Sequence, residues 1–342
     1  MKSIVFSTHG GPDVLKYIDA LDPLIRPNEV LVRVEACALN HLDLWVRRGI
    51  PGVPIPLPHI PGSDISGEIA QVGAEVSTVR VGQKVALAPL VSCGKCAACV
   101  AGLDNHCREA TNLGYMIDGG CAEFVRAPEV NCMPYPENLS FEEAASIPLV
   151  FQTAWHMLIG RAELQPGEDV LVLGAGSGVG SAAIQIAKFF GARVIATAGT
   201  DEKLQKAKQL GADHLINHKT QKIRDEVRRI TDKRGVDVVF EHVGIATWDD
   251  SLASLAPGGR LVTCGATTGY DAKVDLRFLF SRQLSLLGSY MGTKSELQTV
   301  MKLVAAGKLK PIVDRVFPLA EAAAAHAYLE SSSQFGKVVL RI

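Results

Sequence analysis

From about residue 150 onward, short β-type runs alternate with amphipathic stretches, and this alternation restricts the fold more than any other feature of the chain. The runs lie at 170–173, 194–197, 214–216, 236–240, 260–264 and 285–289. Between the first two, Val179, Ala183, Ile186 and Phe190 recur at spacings of four, three and four, which keeps one face of a helix over 179–190 apolar. Further helices are expected over 203–210 and 223–231. Strands that alternate with helices need crossover connections and therefore a parallel sheet. Six such strands suit a doubly wound α/β fold.

The connection after the first run reads Gly174-Ala175-Gly176-Ser177-Gly178-Val179-Gly180. Glycines let a backbone approach a pyrophosphate with no Cβ in the way, and the following helix start offers free N–H groups and the positive end of its dipole. The strict G-x-G-x-x-G spacing is not met, and a tight strand–helix turn is the competing reading of the loop alone. Its setting between strand and helix favours dinucleotide binding, with Gly176, Ser177, Gly178 and Val179 at the phosphates. The second strand carries no acid to accept from a ribose 2′-hydroxyl. Thr200 and Lys203 follow it instead, which suits a 2′-phosphate and favours NADP, with NAD the alternative.

The first part of the chain has a different texture. Short β-type runs at 30–34, 65–72 and 84–87 are separated by Pro- and Gly-rich turns, which reads as a barrel-like β domain. The expected division is 1–148 with 307–342 as one domain and 149–306 as the dinucleotide domain. Within the first, Cys93-x2-Cys96-x2-Cys99-x7-Cys107 is the most specific pattern of all. Short loops of this kind bring four thiolates around one tetrahedral ion, and so closed a site is structural. An iron–sulfur cluster is the competing reading, but its fourth ligand normally follows a shorter gap and precedes a proline, whereas Arg108 follows Cys107. One structural zinc per chain, in a lobe over about 91–110, is expected.

Basic and acidic residues are nearly balanced, 35 against 36, which argues against nucleic acid or an anionic membrane as partner. No apolar run reaches the roughly 18–20 residues of a membrane span, and the first residues lack the apolar stretch of a signal peptide. A cytoplasmic protein is expected.

With these parts in order, the chain resembles the zinc-containing alcohol dehydrogenase and quinone oxidoreductase branches of the medium-chain dehydrogenase/reductase superfamily. The resemblance rests on Gly10-Gly11-Pro12-Asp13-Val14-Leu15, Ala38-Leu39-Asn40-His41-Leu42-Asp43, Pro58-His59-Ile60-Pro61-Gly62-Ser63-Asp64, the cysteine lobe, Ala144-Ala145-Ser146-Ile147-Pro148 and Gly235-Val236-Asp237-Val238-Val239. It implies a GroES-like substrate domain joined to a Rossmann cofactor domain. It also implies cofactor contacts from Thr153, His218, Val243, Gly265, Ser289 and Lys337, and a homodimer or homotetramer that pairs through the strand 284–289.

The departures from the resemblance carry the chemistry. Where alcohol dehydrogenases of the family hold a catalytic zinc, the corresponding positions here are Asn40, Ser63 and Leu149, with Asp64 for the neighbouring acid. An amide, a hydroxyl and an aliphatic chain do not make a zinc site. Cys37, His41, His59, Asp64 and Glu68 are the remaining candidates for an unconventional one. Without a metal to stabilise an alkoxide, reduction of a quinone or an α,β-unsaturated carbonyl is the less demanding reaction, because donors suffice to hold an enolate. Asn40 is the expected donor, Ser63 a second, and Asp64 the group that orients them. An alcohol or aldehyde dehydrogenase with a non-standard site, or a non-catalytic NADPH-binding protein, are the alternatives.

Overall fold

The six β-type runs beyond residue 150 form one wholly parallel sheet. Its strands are Asp169–Val172, Arg193–Ala198, His214–Asn217, Val236–Glu241, Leu255–Thr263 and Ser285–Gly288. Across the sheet they stand in the order third, second, first, fourth, fifth, sixth. The order reverses beside the first strand, where all four residues are buried, and this reversal leaves the crevice that dinucleotides use. Leu171, Ile195, Ile216, Val239 and Leu261 form the core beneath it.

The computed structural model describes residues 1–342 and separates into two units, Val150–Gly292 and Met1–Leu149 together with Thr293–Ile342. The division by compactness lies at Thr293, whereas the expected domain boundary is 307. The reason is local to the first unit: helix Lys294–Ala305 opens with Lys294, whose N–H and ammonium donate to Asp104 at 3.1 and 2.9 Å and whose ammonium also reaches Ser92. Those are residues of the cysteine lobe, so the helix belongs with it.

The first unit is built on a seven-stranded sheet. Its longest strand, Glu29–Leu39, pairs antiparallel with Asp64–Val72, with Phe124–Pro128 and with Lys337–Arg341. Because Phe124–Pro128 returns onto it while Cys132–Pro134 pairs with Lys84–Leu87 at the far side, the sheet curls on itself in the GroES-like manner. Val32, Val34, Ile65, Val85 and Val125 fill the interior. The register has one functional consequence. Ala38 pairs with Asp64 and Leu39 with Val338, so Asn40, Asp64 and Lys337 lie at the same end of three adjacent strands.

The close pairing of these strands depends on Gly67, which sits beside a register shift at Val34/Ala36. A Cβ there would run into the Arg33 carbonyl oxygen. Gly67→Ala is expected to destabilise the fold by about 1–3 kcal/mol through overpacking, read as a lowered urea midpoint with an unchanged slope.

Candidate active site

The end of the three strands holds a hydrogen-bonded polar cluster. Asp64 is wholly buried. Its Oδ1 accepts the Leu149 N–H at 2.7 Å, and its Oδ2 accepts from the Asn40 amide at 3.0 Å and from the Lys337 ammonium at 2.8 Å. Lys337 is itself only 3% exposed and donates a second bond to Asn40 Oδ1 at 2.5 Å. Burying a charge is tolerable only when it is paired and bonded, and here an ammonium and a carboxylate meet that condition together.

One expectation is corrected by this arrangement. The Asn40 amide is not a free donor, since its Nδ2 is held by Asp64 and, more weakly, by the Ala38 carbonyl at 3.4 Å. Lys337, expected at the cofactor, is drawn into this cluster, because strand register sets it beside Asn40 and burial demands the Asp64 carboxylate. Ser63, also fully buried, keeps an Oγ with no partner. Beneath them Asp43 accepts the Asn40 N–H at 2.7 Å and the Gly62 N–H at 3.0 Å. Burial pushes its carboxyl up to about 6, against the pull of the Asn40 N–H and the Lys337 charge.

This donor set does not fit a catalytic metal. Asn40 and Asp64 already hold a cation, Leu149 offers only its backbone, and a second positive charge beside a buried ammonium is repelled. Cys37, His41, His59, Asp64 and Glu68 do not converge either. Cys37 instead lies in the core, its Sγ 3.9 Å from that of Cys121.

The cysteine lobe fits an ion. The sulfurs of Cys93, Cys96, Cys99 and Cys107 all lie within 4.8 Å of one another, with 3.6 Å between Cys96 and Cys99 and 3.9 Å between Cys93 and Cys99. Four thiolates bound at about 2.3 Å around a tetrahedral zinc stand about 3.8 Å apart. The Lys95 and Cys96 N–H groups aim at the Cys93 sulfur and bring its thiol down to about 7, toward the thiolate a metal needs.

In the second unit the glycine loop runs from the first strand into helix Gly178–Phe189. Ser177 caps the helix by accepting the Gly180 N–H at 2.9 Å, which leaves the N–H groups of Gly178 and Val179 without backbone partners. Gly174 adopts φ +56°, and a Cβ on Gly180 would strike the Gly174 carbonyl, so glycine is required at both. Sequence reasoning missed His242, whose Nε2 lies 2.9 Å from the Leu173 carbonyl and 3.3 Å from Ser177 Oγ, under the loop. Its place after the fourth strand, next to the reversal in strand order, was the available signal. Val243 and Gly265 follow the fourth and fifth strands, and the N–H of Val243 is held by Glu241. Thr153 is buried on helix Pro148–Trp155. The buried Ser289 Oγ has no partner.

At the end of the second strand, Thr200 caps helix Asp201–Gln209 by accepting the Lys203 N–H at 3.3 Å. His218 and Lys219 close over Gly199, where a Cβ would come 3.1 Å from the imidazole and 3.2 Å from the lysine stem. Burial and then the charges of Lys219 and Lys203 hold the His218 imidazole below its ordinary range. Lys219 was not singled out from sequence, although it follows directly on His218.

These features define an oxidoreductase that binds a nicotinamide dinucleotide. Residues 26–137 match the family model described as alcohol dehydrogenase GroES-like domain, and residues 178–306 the one described as zinc-binding dehydrogenase. The chain is 35% identical to an alcohol dehydrogenase of Geobacillus stearothermophilus over 345 residues, covering all of both proteins. It is 30% identical to quinone oxidoreductase of Homo sapiens over 348 residues, 99% of this chain and 97% of that one. A solved structure titled NAD-dependent alcohol dehydrogenase superposes with a TM-score of 0.97 at 48% identity, with full coverage of both chains. The chain belongs to the medium-chain dehydrogenase/reductase superfamily and is an NAD(P)-dependent oxidoreductase. No helix in it is long and apolar enough to cross a membrane.

Elemental analysis is expected to find one zinc per chain, all of it lost in Cys96→Ser together with protease resistance of residues around the lobe. A second equivalent retained after dialysis against a chelator would contradict this. For Asp43 the sign is opposite to that of an ordinary paired carboxylate. Its folded value of about 6 exceeds the unfolded 3.8, so the fold binds the extra proton and stability falls as pH rises between those values. The stability of the native chain relative to Asp43→Asn is therefore expected to decline from pH 4 to 7 in paired urea titrations. The decline should be about 3 kcal/mol, since each tenfold gain in proton affinity is worth about 1.4 kcal/mol.

Proposed function

We propose that the chain is an NADPH-dependent reductase of quinones or α,β-unsaturated carbonyl compounds, with zinc confined to the structural cysteine lobe. The observation that carries this is the Asn40–Asp64–Lys337 cluster: where alcohol oxidation asks for a metal to hold an alkoxide, the chain places a buried ammonium and its counter-ion. When bound, the nicotinamide supplies a hydride to the β-carbon of the conjugated substrate, and charge then gathers on an oxygen that hydrogen-bond donors can hold. The chain's part is to bind and orient. The helix start after Ser177 offers two free N–H groups to the pyrophosphate. Thr200, Lys203, His218 and Lys219 gather where a ribose 2′-phosphate would lie, and the second strand ends without an acid. Ser63, unpartnered in the buried site, is a further donor toward substrate.

Pairing of subunits through the edge strand Ser285–Gly288, as a homodimer or a dimer of dimers, belongs to the same reading. So does a cytoplasmic setting, which suits eight cysteines with no disulfide among them.

Alcohol oxidation with NAD is the second reading, favoured by the name carried by the 48% identical structure. Initial rates separate the two. NADPH is expected to be oxidised by quinones and enones in preference to NADH, with no turnover of primary or secondary alcohols even with added zinc. Lys203→Ala and Lys219→Ala are each expected to raise the KM for NADPH about tenfold, the value of one charge-assisted hydrogen bond, and to leave the KM for NADH unchanged.

A further inference from the structure

We infer that Lys294 is a positioning residue for the metal of the cysteine lobe: its ammonium, held by Asp104 and Ser92, ties together the two arms of the lobe that carry the thiolates of Cys93 and Cys107. The inference rests on the reading of that lobe as a zinc site and gives it a partner outside the four ligands.

Three observations carry it. First, the lobe has no apolar core to shape it. Residues 92–110 hang on the short ladder of Leu90–Val91 with Thr111–Asn112, and within them only Asp104 and Cys107 are buried. Val100 and Leu103 face solvent. Ligands that packing does not hold have to be held by polar bonds or by the ion alone.

Second, Lys294 reaches both arms from a rigid base. It opens helix Lys294–Ala305, which Thr293 and Glu296 cap reciprocally and which buries Leu297, Val300 and Met301. Its ammonium donates to Asp104 Oδ2 and to Ser92 Oγ, each at 2.9 Å, and its N–H donates to Asp104 Oδ1 at 3.1 Å. Asp104 leads into Cys107, whose N–H bonds the Asp104 carbonyl at 3.1 Å, and Ser92 directly precedes Cys93. The Cys93 N–H in turn points at the Cys107 sulfur, 3.5 Å away. The first and last ligands thus stand side by side, with one ammonium bonded to the arm of each.

Third, the bond to Ser92 has no part in docking the helix, for which the Asp104 pair suffices at 14% and 12% side-chain exposure. The Ser92 hydroxyl accepts from the ammonium and is a hydrogen-bond donor to the Cys99 sulfur. A hydroxyl polarised by a cation donates more strongly, and a donor to a thiolate draws charge from it. The relay from Lys294 through Ser92 to Cys99 therefore acts where four thiolates outweigh the charge of a divalent ion.

The test uses the full chain as purified, with its zinc content measured first. Zinc affinity is read by equilibrium competition with pyridylazoresorcinol, a chromogenic chelator. The sulfur-to-metal charge-transfer band is read after exchange of zinc for cobalt. Lys294→Met is expected to weaken zinc binding about 10- to 100-fold. It is also expected to move the band to lower energy, because a thiolate without its donor gives up an electron more easily. Lys294→Arg should recover part of both. Ser92→Ala, which keeps the Asp104 pair, should move the band in the same direction and weaken zinc less. A lysine that merely docks the helix would leave the band in place. A folded Lys294→Met variant with an unmoved band overturns the assignment whatever its affinity, and so does one with native affinity. Where Lys294→Met does not fold, an unmoved band in Ser92→Ala overturns it. A native chain without zinc overturns the zinc reading together with this inference, whereas zinc held equally by native and variant chains overturns the inference alone.

Discussion

A lysine ammonium shut away from water cannot give up its counter-charge, and the polar end of the first unit is organised around that demand. Lys337 and Asp64 meet at 2.8 Å, both almost fully buried. In such surroundings the attraction is strong, and so is the cost of removing either partner. Two neighbours follow from the pair: the Leu149 N–H satisfies the other carboxylate oxygen and Asn40 bridges both charges, while burial lifts the Asp43 carboxyl to about 6 against the pull of Lys337. The place that a metal would serve is thus already electrically complete.

The second unit uses charge in the opposite sense. Its glycine loop and the helix beyond it present N–H groups and no counter-ion, so the missing negative charge has to come from a ligand. His242 under the loop, held neutral by burial, stiffens the turn by contacts to Leu173 and Ser177 without adding charge of its own.

Much of this was legible in the sequence wherever the signal is local. The alternation of strands and helices foretold the doubly wound sheet, and helices expected over 179–190 and 223–231 are found at Gly178–Phe189 and Ile223–Ile230. The cysteine spacing foretold the lobe, because a short loop dictates its own closure. Other features rest on contacts between distant segments and left no local trace. Helix Ile245–Ser254 begins after Gly244 at φ +99° and mixes polar with apolar residues too evenly for its period to show. The boundary at Thr293 depends on Lys294 meeting Asp104, 190 residues away. Asn40, Ser63 and Asp64 stood out in the sequence as candidates, but the direction in which the Asn40 amide points and the arrival of Lys337 follow from strand register alone.

That register has a bearing on how the molecule comes into being. Asp64 is translated early, and the lysine that neutralises it follows 273 residues later, on the strand Lys337–Arg341. Until that strand leaves the ribosome and docks beside Glu29–Leu39, the early sheet has an open edge and an uncompensated acid at its end. Damage to the strand Lys337–Arg341 would therefore strip the counter-charge from an aspartate encoded 273 residues earlier.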